Sequence, residues 1–458
     1  MPTVRIMTAM PTTIPSTAME TIGREKPCAA PFSGRRMRCA MKWVNDTSDG
    51  LLRRPTKIAA LLLVSGVLAS AGCSQVPAPV LVSQGPANVQ VGAERLPEYL
   101  PRLAGRRVAV VTNQTGMVGR THLVDTLLAQ QVNVVKVFAP EHGFRGEADA
   151  GERVKDGRDA RTKLPLVSLY GANKKPTPEQ LANVDVLVFD IQDVGVRFYT
   201  YISTLHYVME AAAENGKAVV VLDRPNPNGF YVDGPVLDKA HTSFVGMHPV
   251  PLVHGMTVGE YAGMINGEGW LKGGVRCDLF VVPCTGYDHD VMYQLPVRPS
   301  PNLPNMSAVY LYPSLGLFEG TVVSVGRGTE QPFQCIGYPG NPVGQFQFTP
   351  RSMPGAKDPP HLGKECAGID LRAFGSFQSR MERRVRLHWL IGLYREAPDK
   401  GTFFLANRFI DKLAGGADLR ERIVRGEDED TIRASWQPAL QAFMKVRVKY
   451  LLYDDFQR

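Results

Sequence analysis

Long hydrophobic runs are scarce in this chain of 458 residues. The one uncharged stretch of any length, residues 58–71 (IAALLLVSGVLASA), reaches about 21 Å at helical rise, short of a bilayer core of about 30 Å. That excludes a multi-span membrane protein. Cysteine is also scarce, with seven in the whole chain, too few for a disulfide scaffold. Cys277 and Cys284 bracket CDLFVVPC, which reads as a strand. Its length of about 23 Å far exceeds the roughly 4.4–6.8 Å between the Cα atoms of a disulfide. No CxxC spacing occurs, which argues against structural zinc. No strand-like segment runs into GxGxxG or GxxxxGK[ST], so a nucleotide has no support, and no cofactor or metal is expected. An excess of positive charge is missing where it would count. The net charge is +8, but the first 73 residues carry ten Lys and Arg against four Asp and Glu. The remainder is nearly balanced, and nucleic acid is not an implied partner.

What is present begins with a leader. Arg53, Arg54 and Lys57 precede the apolar run, which ends in Ala69-Ser70-Ala71-Gly72-Cys73, the pattern of an export signal. Small residues before a Cys resemble the lipobox of bacterial lipoproteins, and Cys73 is the candidate for lipidation. The expectation is an exported protein of the cell envelope, a periplasmic lipoprotein held to the membrane by its lipid anchor alone. Residues 1–40 have no role in such a signal. An over-extended start is expected there, with Met41 as the first residue and the signal over 41–73. Residues 74–94, rich in Pro, Gly, Ser and Gln without a period, read as a tether.

The hydrophobic share, 44% of the chain, is enough for one or two cored domains. Val108–Thr112, Val134–Phe138, Val186–Phe189 and Ala218–Leu222 are short and β-branched, suited to strands buried on both faces. Between them Thr121–Gln131 and Tyr201–Asn215 have helical spacing. Thr257–Asn266 adds a helix, with Thr257 and Glu260 placed as a capping box. Strand–helix alternation predicts an α/β domain with a parallel sheet over residues 95–270. From Val275 proline-dense stretches separate short β-like runs, and a smaller α+β domain is expected over 271–458.

Ligands of parallel α/β sheets bind outside the carboxyl ends of the strands, so the residues that follow each strand are the place to look. The first strand runs into Asn113-Gln114-Thr115-Gly116 and the second into Pro140-Glu141-His142-Gly143. The next delivers Asp190, Asp193, Arg197 and Tyr199, and the fourth Asp223-Arg224-Pro225-Asn226. Glu141 leads the titratable candidates, since a carboxyl with so little polar company suits general-acid work; its bland reading is a turn cap. His142 either orients a neighbour or packs in its loop. Asp193 and Arg197, four apart, make a structural salt bridge or a clamp for a sugar hydroxyl or carboxylate. Tyr199 and Tyr201 divide between stacking on a ligand and core packing. Asp223-Arg224 reads as a strand-end ion pair as much as a substrate contact. His254 has no structural explanation and is placed facing a cleft. In the second domain Glu319 joins the carboxylates, and Arg327, between two glycines, is a candidate anion clamp.

Taken in order, VTNQTG, PEHGFRG, SLYG with KKPTPEQL, DVLVFDIQDVGVRFYTYI, LDRPNP, PLVHGMTVGE, PSPNLP, LYPSLGLFEGT, GRGTEQPF and FIDKLAG resemble the NamZ-type exo-β-N-acetylmuramidases. This is a bacterial family formerly known as a domain of unknown function. The resemblance runs from about residue 95 to the C-terminus. It implies a Rossmann-like domain and a smaller α+β domain, with the active site in the cleft between them. It also implies removal of terminal β-linked N-acetylmuramic acid from peptidoglycan-derived disaccharides or muropeptides, in cell-wall turnover. The family's catalytic Glu, in its PEHG motif, falls on Glu141. A second carboxylate is required about 5–5.5 Å away for retention or about 6.5–9.5 Å for inversion, unless the substrate's acetamido group is the nucleophile. Asp193 and Glu319 are the candidates. The lactyl carboxylate of muramic acid requires a cation, for which Arg197, Arg224 and Arg327 are the candidates. Asn113, His142, Tyr199, Asn226 and His254 complete the expected sugar contacts. The chief rival is a non-catalytic envelope lipoprotein that binds muropeptides or sugars. A metal hydrolase using His142, His254 and Asp193 lacks any HExxH-like spacing.

Overall fold

A computed structural model describes residues 88–144, 156–375 and 378–457. The expected start, the signal with Cys73 and most of the tether lie outside the described residues.

Six strands form the centre: β1 (Val108–Thr112), β2 (Val134–Ala139), β3 (Pro165–Ser168), β4 (Val186–Asp190), β5 (Ala218–Leu222) and β6 (Asp278–Val282). They pair in parallel in the order β3-β2-β1-β4-β5-β6, and the short strand Gly157–Arg158 adds an antiparallel edge beside β3. The order reverses between β1 and β4, the switch point of a doubly wound, Rossmann-like sheet. β1 and β4 are buried along their whole length, which is why they are unbroken apolar runs. Side chains alternate between the two faces. Ala109, Val111, Leu187 and Phe189 enter one apolar cluster, and Val108, Val110, Val186 and Val188 the other.

Helix α1 (Leu123–Ala129) links β1 to β2, α2 (Pro178–Leu181) precedes β4, α3 (Tyr201–Glu214) links β4 to β5, and α4 (Val258–Gly267) precedes β6. The capping box of α4 forms: Thr257 Oγ1 accepts the Glu260 N–H at 3.2 Å, and Glu260 Oε2 accepts the Thr257 N–H at 2.8 Å. Asp223, at the end of β5, accepts from the Gly259 N–H and the Thr257 hydroxyl, each at 2.7 Å.

β6 corrects the boundary expected at residue 270. It pairs with β5 from Ala218 beside Asp278 to Leu222 beside Val282, so the parallel sheet extends beyond that point. The change of texture near Val275 marks loops between elements, because turn residues and a partly exposed edge strand alternate there. After β6 come α5 (Met306–Leu315), an antiparallel sheet of β7 (Cys335–Tyr338), β8 (Phe346–Phe348) and β9 (Cys366–Asp370), and the long helix α6 (Glu429–Arg447). This smaller α+β region shares a core with one face of the central sheet. Phe318, Phe333, Leu387 and Trp436 lie in the same cluster as Phe189 and Val219. Cys277, Cys284, Cys335 and Cys366 are buried and free, the first two held apart by β6. Among the described residues no helix is long and apolar enough to cross a membrane.

Candidate active site

Loops from the carboxyl ends of β2, β3 and β4 meet the segment after α5 around a cavity of ≈ 340 Å³, a small-ligand volume. Glu141 enters it from the end of β2. The turn that carries it places His142 and Gly143 in left-handed backbone, φ 68° and 76°, a conformation that costs energy at His142. Thr200 Oγ1 donates to Glu141 Oε2 at 2.8 Å. Tyr170, from the loop after β3, stands beside the same carboxylate. Burial first, and then the charge and hydrogen bonding of Glu141, push its phenol pKa up, so it is a neutral donor.

Much of the lining is aromatic. Tyr199 meets Tyr201 edge-on at 4.8 Å and Tyr312 at 5.8 Å, and Tyr312 meets Phe333 at 4.9 Å. Tyr199 donates its hydroxyl to the Pro299 carbonyl at 2.9 Å. The Tyr201 hydroxyl is buried close to Tyr199, Asn113 and Glu141. Burial, followed by the charge of Glu141, pushes the Tyr201 pKa up.

Glu319 closes the cavity from the turn after α5. Glycines flank that turn because its backbone is crowded. A Cβ at Gly316 would lie 2.4 Å from the Phe198 ring, and one at Gly320 would lie 2.4 Å from the Ile410 nitrogen. Arg327 grips Glu319 Oε1 through Nε at 2.9 Å and Nη2 at 2.8 Å, and its guanidinium lies over Phe333 at 4.9 Å. Two carboxylates, a guanidinium and an aromatic platform thus share one cavity. That arrangement suits acid-assisted cleavage of a sugar acetal. Among the described residues no group of three or more His, Cys, Asp or Glu is placed to hold a metal.

Residues 108–307 match the family described as exo-beta-N-acetylmuramidase NamZ, N-terminal, and residues 310–453 its C-terminal counterpart. The chain belongs to the NamZ family. It is a glycoside hydrolase. The peptidoglycan beta-N-acetylmuramidase NamZ of Bacillus subtilis is 41% identical over 387 residues, covering 80% of this chain and 92% of that one. Two solved DUF1343 family proteins of Bacteroides fragilis are similar in structure. One has a TM-score of 0.75 at 46% identity and covers 80% of this chain and 99% of its own. The other has 0.69 at 30% and covers 81% and 100%.

Within this NamZ-family chain the residues expected at the site divide sharply. Glu141, His142, Tyr199, Glu319 and Arg327 line the cavity. Asn113, Arg197, Arg224, Asn226 and His254 do not, and each has polar side-chain atoms bonded to other parts of the protein. Asn113 Oδ1 accepts from the Thr115 N–H at 2.9 Å and hydroxyl at 2.6 Å. Arg197 is fully buried and donates to the carbonyls of Pro235, Val250 and Leu413. Arg224 pairs with Asp190 rather than with Asp223, through Nε at 2.6 Å and Nη2 at 3.0 Å. Asn226 shapes its own turn, accepting from the Asn228 N–H and donating to the Met256 carbonyl. His254 Nδ1 accepts the Met256 N–H at 3.3 Å, and burial lowers its pKa to about 3.

Asp193 is buried outside the cavity lining, and its Oδ2 accepts the Gly195 N–H at 2.6 Å. It makes no salt bridge with Arg197. Their spacing of four suits a helix, whereas this segment is a loop turned by Gly195 at φ 74°. Burial pushes the Asp193 carboxyl up to about 7 against the opposing pull of the Gly195 and Val194 N–H groups. Tyr170, Lys174, Thr200 and Tyr312 line the cavity without having been singled out for it. The signal for the first two is present in SLYG and KKPTPEQL, which run on from the end of β3.

Proposed function

We propose that this protein is an exo-acting β-N-acetylmuramidase that releases terminal N-acetylmuramic acid from peptidoglycan fragments in cell-wall turnover. The observation that supports the reading most is the PEHG glutamate, Glu141, held by Thr200 in a cavity that also contains the Glu319–Arg327 pair. Glu141 gives its proton to the glycosidic oxygen as the bond to the anomeric carbon breaks, and water then bonds to that carbon and releases the proton that restores the acid. Glu319 supplies negative charge toward the oxocarbenium-like transition state, and Arg327 fixes its carboxylate. The aromatic lining receives the apolar face of the sugar. A cavity of ≈ 340 Å³ suits one terminal sugar better than a polymer strand.

The test is turnover of a chromogenic β-N-acetylmuramide by the purified protein, with release of chromophore and free sugar expected. A folded protein that binds N-acetylmuramic acid and never turns the substrate over would overturn the hydrolase. The envelope location is tested separately. Expression from Met41 is expected to give a membrane-associated protein, and Cys73→Ala to release it or alter its processing. Unchanged location of that variant would remove the lipid anchor.

A further inference from the structure

The motif KKPTPEQL places two adjacent lysines beside the cavity, and the fold treats them differently. Lys175 Nζ lies 2.6 Å from Glu210 Oε1 and 2.6 Å from Glu214 Oε2, both on α3. Glu210 is fixed in turn by the Lys272 N–H at 2.7 Å. Lys174 has no such partner. Among the described residues it makes no ion pair. Its half-buried side chain lines the cavity, with Nζ 4.3 Å from the centre of the Phe244 ring.

The segment around Lys174 is held on both sides. Asn173 Nδ2 donates to Gln180 Oε1 at 3.4 Å, and Thr177 closes a capping box with Gln180 at the start of α2. Lys175 ties the other flank to α3. The Lys174 ammonium is therefore positioned before any ligand arrives. The second long cation of the cavity, Arg327, already has Glu319 as its counter-ion. Arg197 and Arg224 do not line the cavity.

We infer that Lys174 is the specificity residue that reads a carboxylate on the substrate. Resting on the function proposed above, that group is the lactyl carboxylate of the terminal muramic acid. A partly desolvated cation without a counter-ion is costly, and the Phe244 face offsets only part of that cost. An incoming carboxylate supplies the rest, so the gain is realised only with the charged sugar. A neutral sugar leaves Lys174 unpaired, which adds a penalty in the same direction. A compact ammonium on a flexible stem also suits a carboxylate carried on a rotatable ether arm, where a planar guanidinium would demand one fixed orientation.

The experiment compares chromogenic β-N-acetylmuramide with its lactyl amide, the same sugar without the charge, and measures calorimetric binding of the two free sugars. The unmodified protein is expected to prefer the acid by roughly tenfold to a hundredfold. Lys174→Met is expected to bring that ratio close to one, chiefly through KM, and Lys174→Arg to restore part of it. Arg327→Gln is expected to depress both substrates together and keep the ratio. A thermal melt establishes that each variant is folded. A preference that survives Lys174→Met, one that collapses in Arg327→Gln instead, or equal binding of acid and amide by the unmodified protein would overturn the inference. Acid-selective binding without turnover would remove the hydrolase and leave Lys174 in its role. Turnover without acid selectivity would do the reverse.

Discussion

Thr200 donates its hydroxyl to Glu141 Oε2 at 2.8 Å, and in doing so joins the loop after β4 to the end of β2. Thr200 is the residue before the first turn of α3, where a threonine hydroxyl ordinarily accepts from the helix backbone. Here it makes no such cap. The hydroxyl serves the cavity carboxylate and not the helix.

That division makes the first prediction. Thr200→Val is expected to lower turnover by roughly tenfold, the worth of a hydrogen bond to a charged group, with little change in stability. Thr200→Ser is expected to recover most of the rate. A large drop in melting temperature with unchanged turnover per folded molecule would show that the hydroxyl supports the helix instead.

Glu141→Gln keeps the shape of the side chain and removes its proton. Turnover of the chromogenic muramide is expected to fall by at least about 10²-fold, the usual contribution of a general acid. Binding of the free sugar is expected to persist. Near-normal turnover in the folded variant would move the acid role to another residue.

Arg224 and Asp190 form a buried ion pair, with side chains only 2% and 0% exposed. Arg224→Leu leaves the Asp190 carboxylate buried without a partner, which is expected to cost about 3–5 kcal/mol. Adding Asp190→Asn is expected to return part of that loss, since it removes the stranded charge. Denaturant titration of the two variants checks this, and equal stability of both would contradict it.

The Asp193 carboxyl is pushed from its ordinary 3.8 up to about 7 by burial. The folded protein therefore holds a proton that the unfolded chain has already released across that window. Its contribution to stability is full below the lower value and is lost as the pH rises through the upper one. Asp223, raised to about 6, acts in the same direction. In Asp193→Asn the side-chain oxygen still accepts the Gly195 N–H, but nothing titrates. The decline in unfolding free energy between about pH 4 and 7 is expected to be shallower in this variant than in the unmodified protein. Identical slopes would place the titration elsewhere.

The local pattern of the sequence determined a good deal. The buried strands follow from unbroken β-branched runs, α3 and α4 from helical spacing, and the Thr257–Glu260 cap from two residues three apart. Glu141 was legible as well, because a strand end in a parallel sheet opens onto the ligand edge whatever the rest of the chain does. These features depend on neighbours within a few residues.

Only the tertiary structure decided which polar residues are free to act. Arg197 and Arg327 look equally available in sequence, yet Arg197 is enclosed by carbonyls of Pro235, Val250 and Leu413, while Arg327 reaches the cavity on Glu319. Lys174 and Lys175 are adjacent, and Glu210 and Glu214 on another element decide that the second is neutralised and the first is not. β6 belongs to the central sheet because of its pairing with β5, although the loops around it have a different composition. A side chain's burial and charge partners come from segments tens to hundreds of residues away. Hydrophobic period and turn chemistry report on a few neighbouring residues, so they locate the elements and leave those distant partners for the fold to assign.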